Sequence, residues 1–133
     1  MAGEKAATAG RARVLLIEDE VSVAAFLRTA LERRGYDVVA SRSGAEGLQL
    51  LASGEFQGVI SDFRTPGGVT GADVRDWLAR HRPNLASHII FITGDTASEE
   101  TASLLASCDT PCVEKPFRVH QLMAAVEKTI GKP

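Results

Sequence analysis

The chain has 133 residues, 44% hydrophobic and 24% charged, which is one globular domain's worth of sequence with ordinary composition. Fifteen basic residues against seventeen acidic ones give a formal charge of −2, which excludes a broad basic surface for nucleic acid and a polybasic membrane anchor. No apolar stretch approaches the ~20 residues of a membrane span.

The opening MAGEKAATAGRAR carries charges but no apolar core, so it is no signal peptide, and residues 1–12 read as a flexible leader or linker. Arg13–Ile17 (RVLLI) is a continuous apolar run, the pattern of a strand covered on both faces. It ends abruptly in Glu18, Asp19 and Glu20. Residues 21–34 place Val21, Ala24, Ala25, Leu27 and Leu31 at helical spacing, and Gly35 stops the helix. Tyr36–Ala40 is a short strand. Ser43 is placed to cap a second helix with Leu48, Leu50 and Leu51 on its apolar side, ended by Gly54.

Gly58–Ser61 is a third strand, and it delivers Asp62 into a turn rich in glycine, Pro66-Gly67-Gly68. Ala72–Arg82 makes a helix with Val74, Trp77 and Leu78, stopped before Pro83; Trp77 reads as a core or half-core residue. His88–Thr93 (HIIFIT) is the fourth strand. Ser98–Ser107 is a weaker helix anchored by Leu104 and Leu105, with Thr96 or Ser98 as its cap. Pro111–Glu114 is the last strand, ended by Lys115-Pro116, and Arg118–Ile130 closes the chain as a helix. Cys108 and Cys112 are too few for a disulfide framework and fit a reducing cytoplasm. Within an apolar strand, Cys112 is expected to be a buried packing residue with a raised pKa.

Five strands alternating with five helices predict a doubly wound α/β domain, a five-stranded parallel sheet with helices on both faces. In such a sheet, groups at the carboxyl ends of the strands converge, and ligands bind there. Strand one ends in Glu18 and Asp19, strand three in Asp62, strand four in Thr93 and strand five in Lys115. Three carboxylates together repel one another unless a hard divalent cation sits among them, and Mg²⁺, with its oxygen ligands and retained waters, suits the set. Lys115 adds a point charge for a phosphoryl oxygen and Thr93 a hydroxyl donor. The combination is that of a phosphoryl-transfer site with a carboxylate nucleophile.

LLIEDE, VISDFRTPGGVTG, IIFITGD and CVEKPF together resemble the receiver domain of two-component response regulators, over roughly Arg13 to Ile130. The resemblance implies a flavodoxin-like (βα)5 fold with strand order 2-1-3-4-5 and a receiver domain spanning residues 13–131. It makes Asp62 the acceptor of a phosphoryl group from a sensor histidine kinase or histidine phosphotransfer protein, in the cytoplasm. Asp19 becomes the main Mg²⁺ carboxylate, with Glu18 acting directly or through water and the backbone carbonyl of Arg64 as a further ligand. Thr93 and Lys115 hold the phosphoryl oxygens, Lys115-Pro116 is a cis peptide bond, and Arg64 and Asp95 tune self-dephosphorylation from opposite sides of the pocket.

Three positions depart from the family pattern. The Gly67-Gly68 pair makes the loop after Asp62 one residue longer, Thr65 stands where methionine is common, and Cys112 stands where many members place an aromatic switch residue. An output scheme in which a ring turns inward towards Thr93 has no ring here to turn. FITGD and CVEKPF look most like receivers attached to hybrid histidine kinases, so the chain reads as such a receiver or as a single-domain regulator, monomer or weak dimer. It is expected to be a signalling domain that catalyses its own phosphorylation and dephosphorylation and not a turnover enzyme. Two other readings are a degenerate receiver that binds partners without phosphorylation and a small aspartyl phosphatase. The complete acidic, Thr and Lys set opposes the first. Arg64, where a phosphatase would want a second carboxylate, opposes the other.

Overall fold

A computed structural model describes residues 12–64, 68–94, 110–115 and 117–133. In chain order these form β1 (Arg13–Ile17), α1 (Val21–Arg33), β2 (Asp37–Ser41), α2 (Gly44–Ser53) and β3 (Gly58–Asp62). They continue with α3 (Gly71–His81), α4 (Pro83–Ala86), β4 (Ile89–Thr93), β5 (Cys112–Glu114) and α5 (Val119–Thr129). The strands form one parallel sheet in the order β2-β1-β3-β4-β5. The expected helix over Ser98–Ser107, the leader through residue 11, Thr65, Asp95, Cys108 and Pro116 lie outside the described residues.

The continuous apolar runs are explained by what covers them. Val14, Leu16, Ile60, Ile90 and Ile92 point to one face, where α1 brings Leu27 and Leu31 and α5 brings Leu122, Met123 and Val126. Leu15, Ile17, Val59, Ile89 and Phe91 point to the other face, against Leu51 of α2 and Val74 and Leu78 of α3. Both sides of β1, β3 and β4 are therefore dry. Each fully buried Leu or Ile contributes about 1.5–3 kcal/mol relative to exposure. Trp77 packs half-buried on the second core.

Local chemistry sets the helix ends. Ser43 caps α2 by accepting from the Glu46 N–H (3.1 Å), and the Glu46 carboxylate accepts from the N–H of Arg42, one residue before the cap (2.9 Å). At the start of α3, Thr70 and Asp73 pair reciprocally, each side chain accepting from the other's backbone N–H. Gly35, after α1, has φ 98°, a left-handed conformation that favours glycine.

Two expectations need correction. Pro83 ends α3 as expected, but its fixed φ also starts the short helix α4, which the apolar pattern does not announce. Cys112 is exposed. Side chains alternate along β5, so Val113 enters the core beside Met123 while Cys112 points the other way, on an edge strand. Burial of part of the thiol, followed by the charge of Glu114, still raises its pKa above the usual value. Among the described residues, no helix is long and apolar enough to cross a membrane.

Candidate functional site

The site residues follow from where each strand stops. Ile17 pairs with Ser61 across β1 and β3, so Glu18 and Asp62 leave adjacent strands side by side. Glu18 stays anchored to the sheet through its N–H to Ser41 O (3.1 Å). Asp62 pairs with Ile92, and the Phe63 N–H continues the ladder to Ile92 O (2.8 Å). Lys115 is fixed in the same way, its N–H reaching Thr93 O at 2.7 Å. Gly71 closes the loop after Asp62 with an N–H to Phe63 O (2.9 Å). A Cβ at Gly71 would lie 3.0 Å from Phe91 and 3.1 Å from Asp62 O, so glycine lets α3 press directly against the strand end.

The side chains converge. Oxygens of Glu18, Asp19 and Asp62 lie within 4.8 Å of one another. Lys115 Nζ lies 3.1 Å from Glu18 Oε1, 3.3 Å from Asp62 Oδ2 and 3.6 Å from Glu20 Oε1. Asp62 Oδ1 accepts weakly from the Arg64 N–H at 3.4 Å. Glu18, Asp62 and Thr93 are buried, while Asp19 and Arg64 are exposed. Thr93 ends β4 one residue beyond the Ile92 that pairs with Asp62. Glu18, Asp19, Asp62, Arg64, Thr93 and Lys115 thus lie at this sheet edge, while Asp95 falls outside the described residues. Glu20 joins them at Lys115; the acidic run after β1 contained it, but nothing in the run said which of its members would reach across the sheet.

The cluster is electrostatically strained in a way that a cation would relieve. Burial raises the Asp62 pKa, Lys115 works against that rise, and Asp19 adds to it. Burial likewise raises Glu18, opposed by the Glu20 N–H and reinforced by Asp62. Burial disfavours the ammonium of Lys115, but Asp62 and Glu18 outweigh it and raise its pKa. Glu18 Oε1 is buried and, although close to Lys115, makes no hydrogen bond among the described residues. A buried carboxylate oxygen without a hydrogen bond, grouped with two further carboxylates, fits a hard divalent ion.

Comparison with known proteins decides the family. Residues 14–127 match the response regulator receiver domain. The chain belongs to that family. It is 30% identical over 118 residues to the response regulator receiver protein CpdR of Brucella abortus, covering 89% of this chain and 96% of CpdR. It is 33% identical over 125 residues to the sensor kinase CckA of the same organism, covering 92% of this chain but 13% of the kinase. Several other curated relatives are regulators of which the chain spans about half the length. The signal receiver domain of a putative LuxO repressor from Vibrio parahaemolyticus superposes with a TM-score of 0.78 at 27% identity, covering 90% of each chain. The sheet order expected from the resemblance is the one observed, and the receiver's acidic cluster sits at the expected edge.

Proposed function

We propose that this receiver domain takes a phosphoryl group onto Asp62 from a phosphohistidine of a sensor histidine kinase or histidine phosphotransfer protein. The observation that carries the reading is the ammonium of Lys115 at 3.3 Å from Asp62 within a cluster of three carboxylates. Asp62 supplies the nucleophile: a carboxylate oxygen bonds to phosphorus as the phosphorus–nitrogen bond of the donor breaks. The departing nitrogen keeps the electron pair and leaves as neutral imidazole, its ring already protonated on the other nitrogen.

Lys115 serves twice. Before transfer its charge opposes the burial that would protonate Asp62 and so favours the ionised, nucleophilic form. After transfer it faces the phosphoryl oxygens, with the Thr93 hydroxyl as a second donor. Glu18, Asp19 and Asp62 would hold Mg²⁺, joined by the Arg64 carbonyl. Bound there, the ion would neutralise the carboxylates and screen the charge of the incoming phosphoryl group. Reversal is hydrolysis: water attacks phosphorus, the bond to Asp62 breaks, and the carboxylate and inorganic phosphate are released. The domain therefore acts on itself and not on a turned-over substrate, and phosphorylation alters what it binds. The same reading has the domain work in the cytoplasm, where such a donor would meet it.

Incubation with acetyl phosphate and Mg²⁺, followed by intact-mass spectrometry, should show one added phosphoryl group. Asp62→Asn should show none. Full labelling of that variant would sink the assignment.

A further inference from the structure

Glu20 has no part in the transfer step, yet it contacts the residue on which that step depends. Its Oε1 lies 3.6 Å from Lys115 Nζ, the longest of the three carboxylate contacts to that ammonium. The other two come from buried residues: the Glu18 side chain is 0% exposed and that of Asp62 12%. The Glu20 side chain is 61% exposed and lies outside the three-carboxylate group. Glu20 is also the N-cap of α1, where it makes no side-chain bond to the helix amides. Its own N–H is tied to Glu18 Oε2 at 3.1 Å. The backbone is therefore pinned to the cluster while the carboxylate reaches over the mouth to Lys115.

We propose that Glu20 is a displaceable counterion of Lys115, holding the ammonium while Asp62 is unmodified and giving it up when phosphoryl oxygens arrive. The inference rests on the phosphoacceptor reading. Three carboxylates already crowd this ammonium, and of these only Asp62 Oδ2 accepts a hydrogen bond from it, at 3.3 Å. A phosphoryl group brings a charge of roughly −1.5 to −2 and oxygens that need the ammonium's donors. These oxygens compete with the carboxylates for the ammonium, and the exposed carboxylate at the longest distance is the least costly to release. While it remains at the mouth, its charge also opposes the incoming anion. Glu20 is thus a positioning residue that sets, through Lys115, how readily the site fills.

The test is calorimetric binding of beryllium trifluoride, a phosphoryl-group analogue, to the full chain in the presence of Mg²⁺. Glu20→Gln should bind it about threefold to tenfold more tightly at an ionic strength near 0.1 M, because one opposing charge is gone. Raising the ionic strength to about 1 M shortens the screening length from about 10 Å to about 3 Å, so the gain should fall below about twofold. Glu20→Ala should reproduce the gain. Affinity for Mg²⁺ alone should fall several-fold near 0.1 M through the lost charge and return to within about twofold of wild type at about 1 M, since Glu20 is outside the metal group. Unchanged or weaker analogue binding in Glu20→Gln would overturn the inference, as would a gain that persists at high salt. A tenfold loss of Mg²⁺ affinity that persists at about 1 M salt would make Glu20 a metal ligand and overturn it too. If the wild type neither binds the analogue nor accepts phosphoryl from acetyl phosphate, the phosphoacceptor reading fails first and carries this inference with it.

Discussion

Asp62→Asn removes one negative charge from the cluster while keeping the side chain's size. At an effective dielectric constant of about 20, Lys115 at 3.3 Å attracts Asp62 by about 5 kcal/mol. On the same scale Glu18 and Asp19, with oxygens within 4.8 Å, each repel it by about 3.5 kcal/mol or more. Screening at exposed Asp19 leaves repulsion and attraction comparable, so the burial of Asp62, which disfavours its charged form, decides the sign and leaves roughly 1–2 kcal/mol. The raised pKa of Asp62, caused first by burial, has the same sign. The variant should therefore be more stable than wild type without metal, by about 3–8 °C in Tm for a domain of this size.

The pH dependence follows from the same shift. The folded-state pKa of Asp62 lies above its unfolded value of 3.8, so the stability that its protonation contributes is fully present below 3.8. That stability is lost as pH rises through the folded value. The advantage of Asp62→Asn should accordingly be largest at neutral pH and disappear as pH falls towards 3.8. Thermal melts followed by circular dichroism from pH 4 to 8, with chelator and then with Mg²⁺, measure both effects. Magnesium at a hundred times its Kd adds about 2.7 kcal/mol to a protein that binds it, so the ranking should invert for wild type against the variant. A variant less stable than wild type at pH 7 without Mg²⁺, or one with an equal Mg²⁺ shift, would refute the electrostatic account.

Asp19→Asn should remove most Mg²⁺ affinity and phosphorylation together, and more so than Glu18→Gln; wild-type titration behaviour in that variant would mean the metal is held elsewhere. Arg64→Ala should speed release of phosphate from phosphorylated Asp62 several-fold, on the order of 1 kcal/mol in barrier, with little change in Mg²⁺ affinity. A slower rate would mean that Arg64 assists the attacking water. Cys112, being exposed, should be alkylated in the native protein at a rate that keeps rising with pH through the ordinary thiol value of 9.0, and Cys112→Ala should leave phosphorylation intact. Protection of the thiol from iodoacetamide in the folded state would contradict its exposure. Gly71→Ala should cost about 1–3 kcal/mol, because the new methyl meets Phe91 and the Asp62 backbone at about 3 Å. Equal denaturation midpoints for that variant and the wild type would show that α3 can shift away freely.

The sequence by itself determined the strands, the main helices and the edge at which chemistry gathers. A strand buried on both faces must be apolar throughout, so RVLLI, GVIS and HIIFIT stand out, and an acid placed directly after such a run has nowhere to be but the strand end. Ser43 was legible as a cap because a hydroxyl before an apolar helix has one physical use, and it accepts from the Glu46 N–H. What the tertiary structure alone decided lies beyond the strand ends, where no period constrains direction. Glu18, Asp19 and Glu20 are consecutive acids, yet one is buried under Lys115, one is exposed beside Asp62, and one reaches Lys115 from the mouth. Cys112 was misplaced for a related reason. Three residues of an edge strand alternate faces, and which face is covered depends on the helices packed there and not on the strand's own composition. Local pattern reports whether a segment is buried; only the packed neighbours decide which atoms meet.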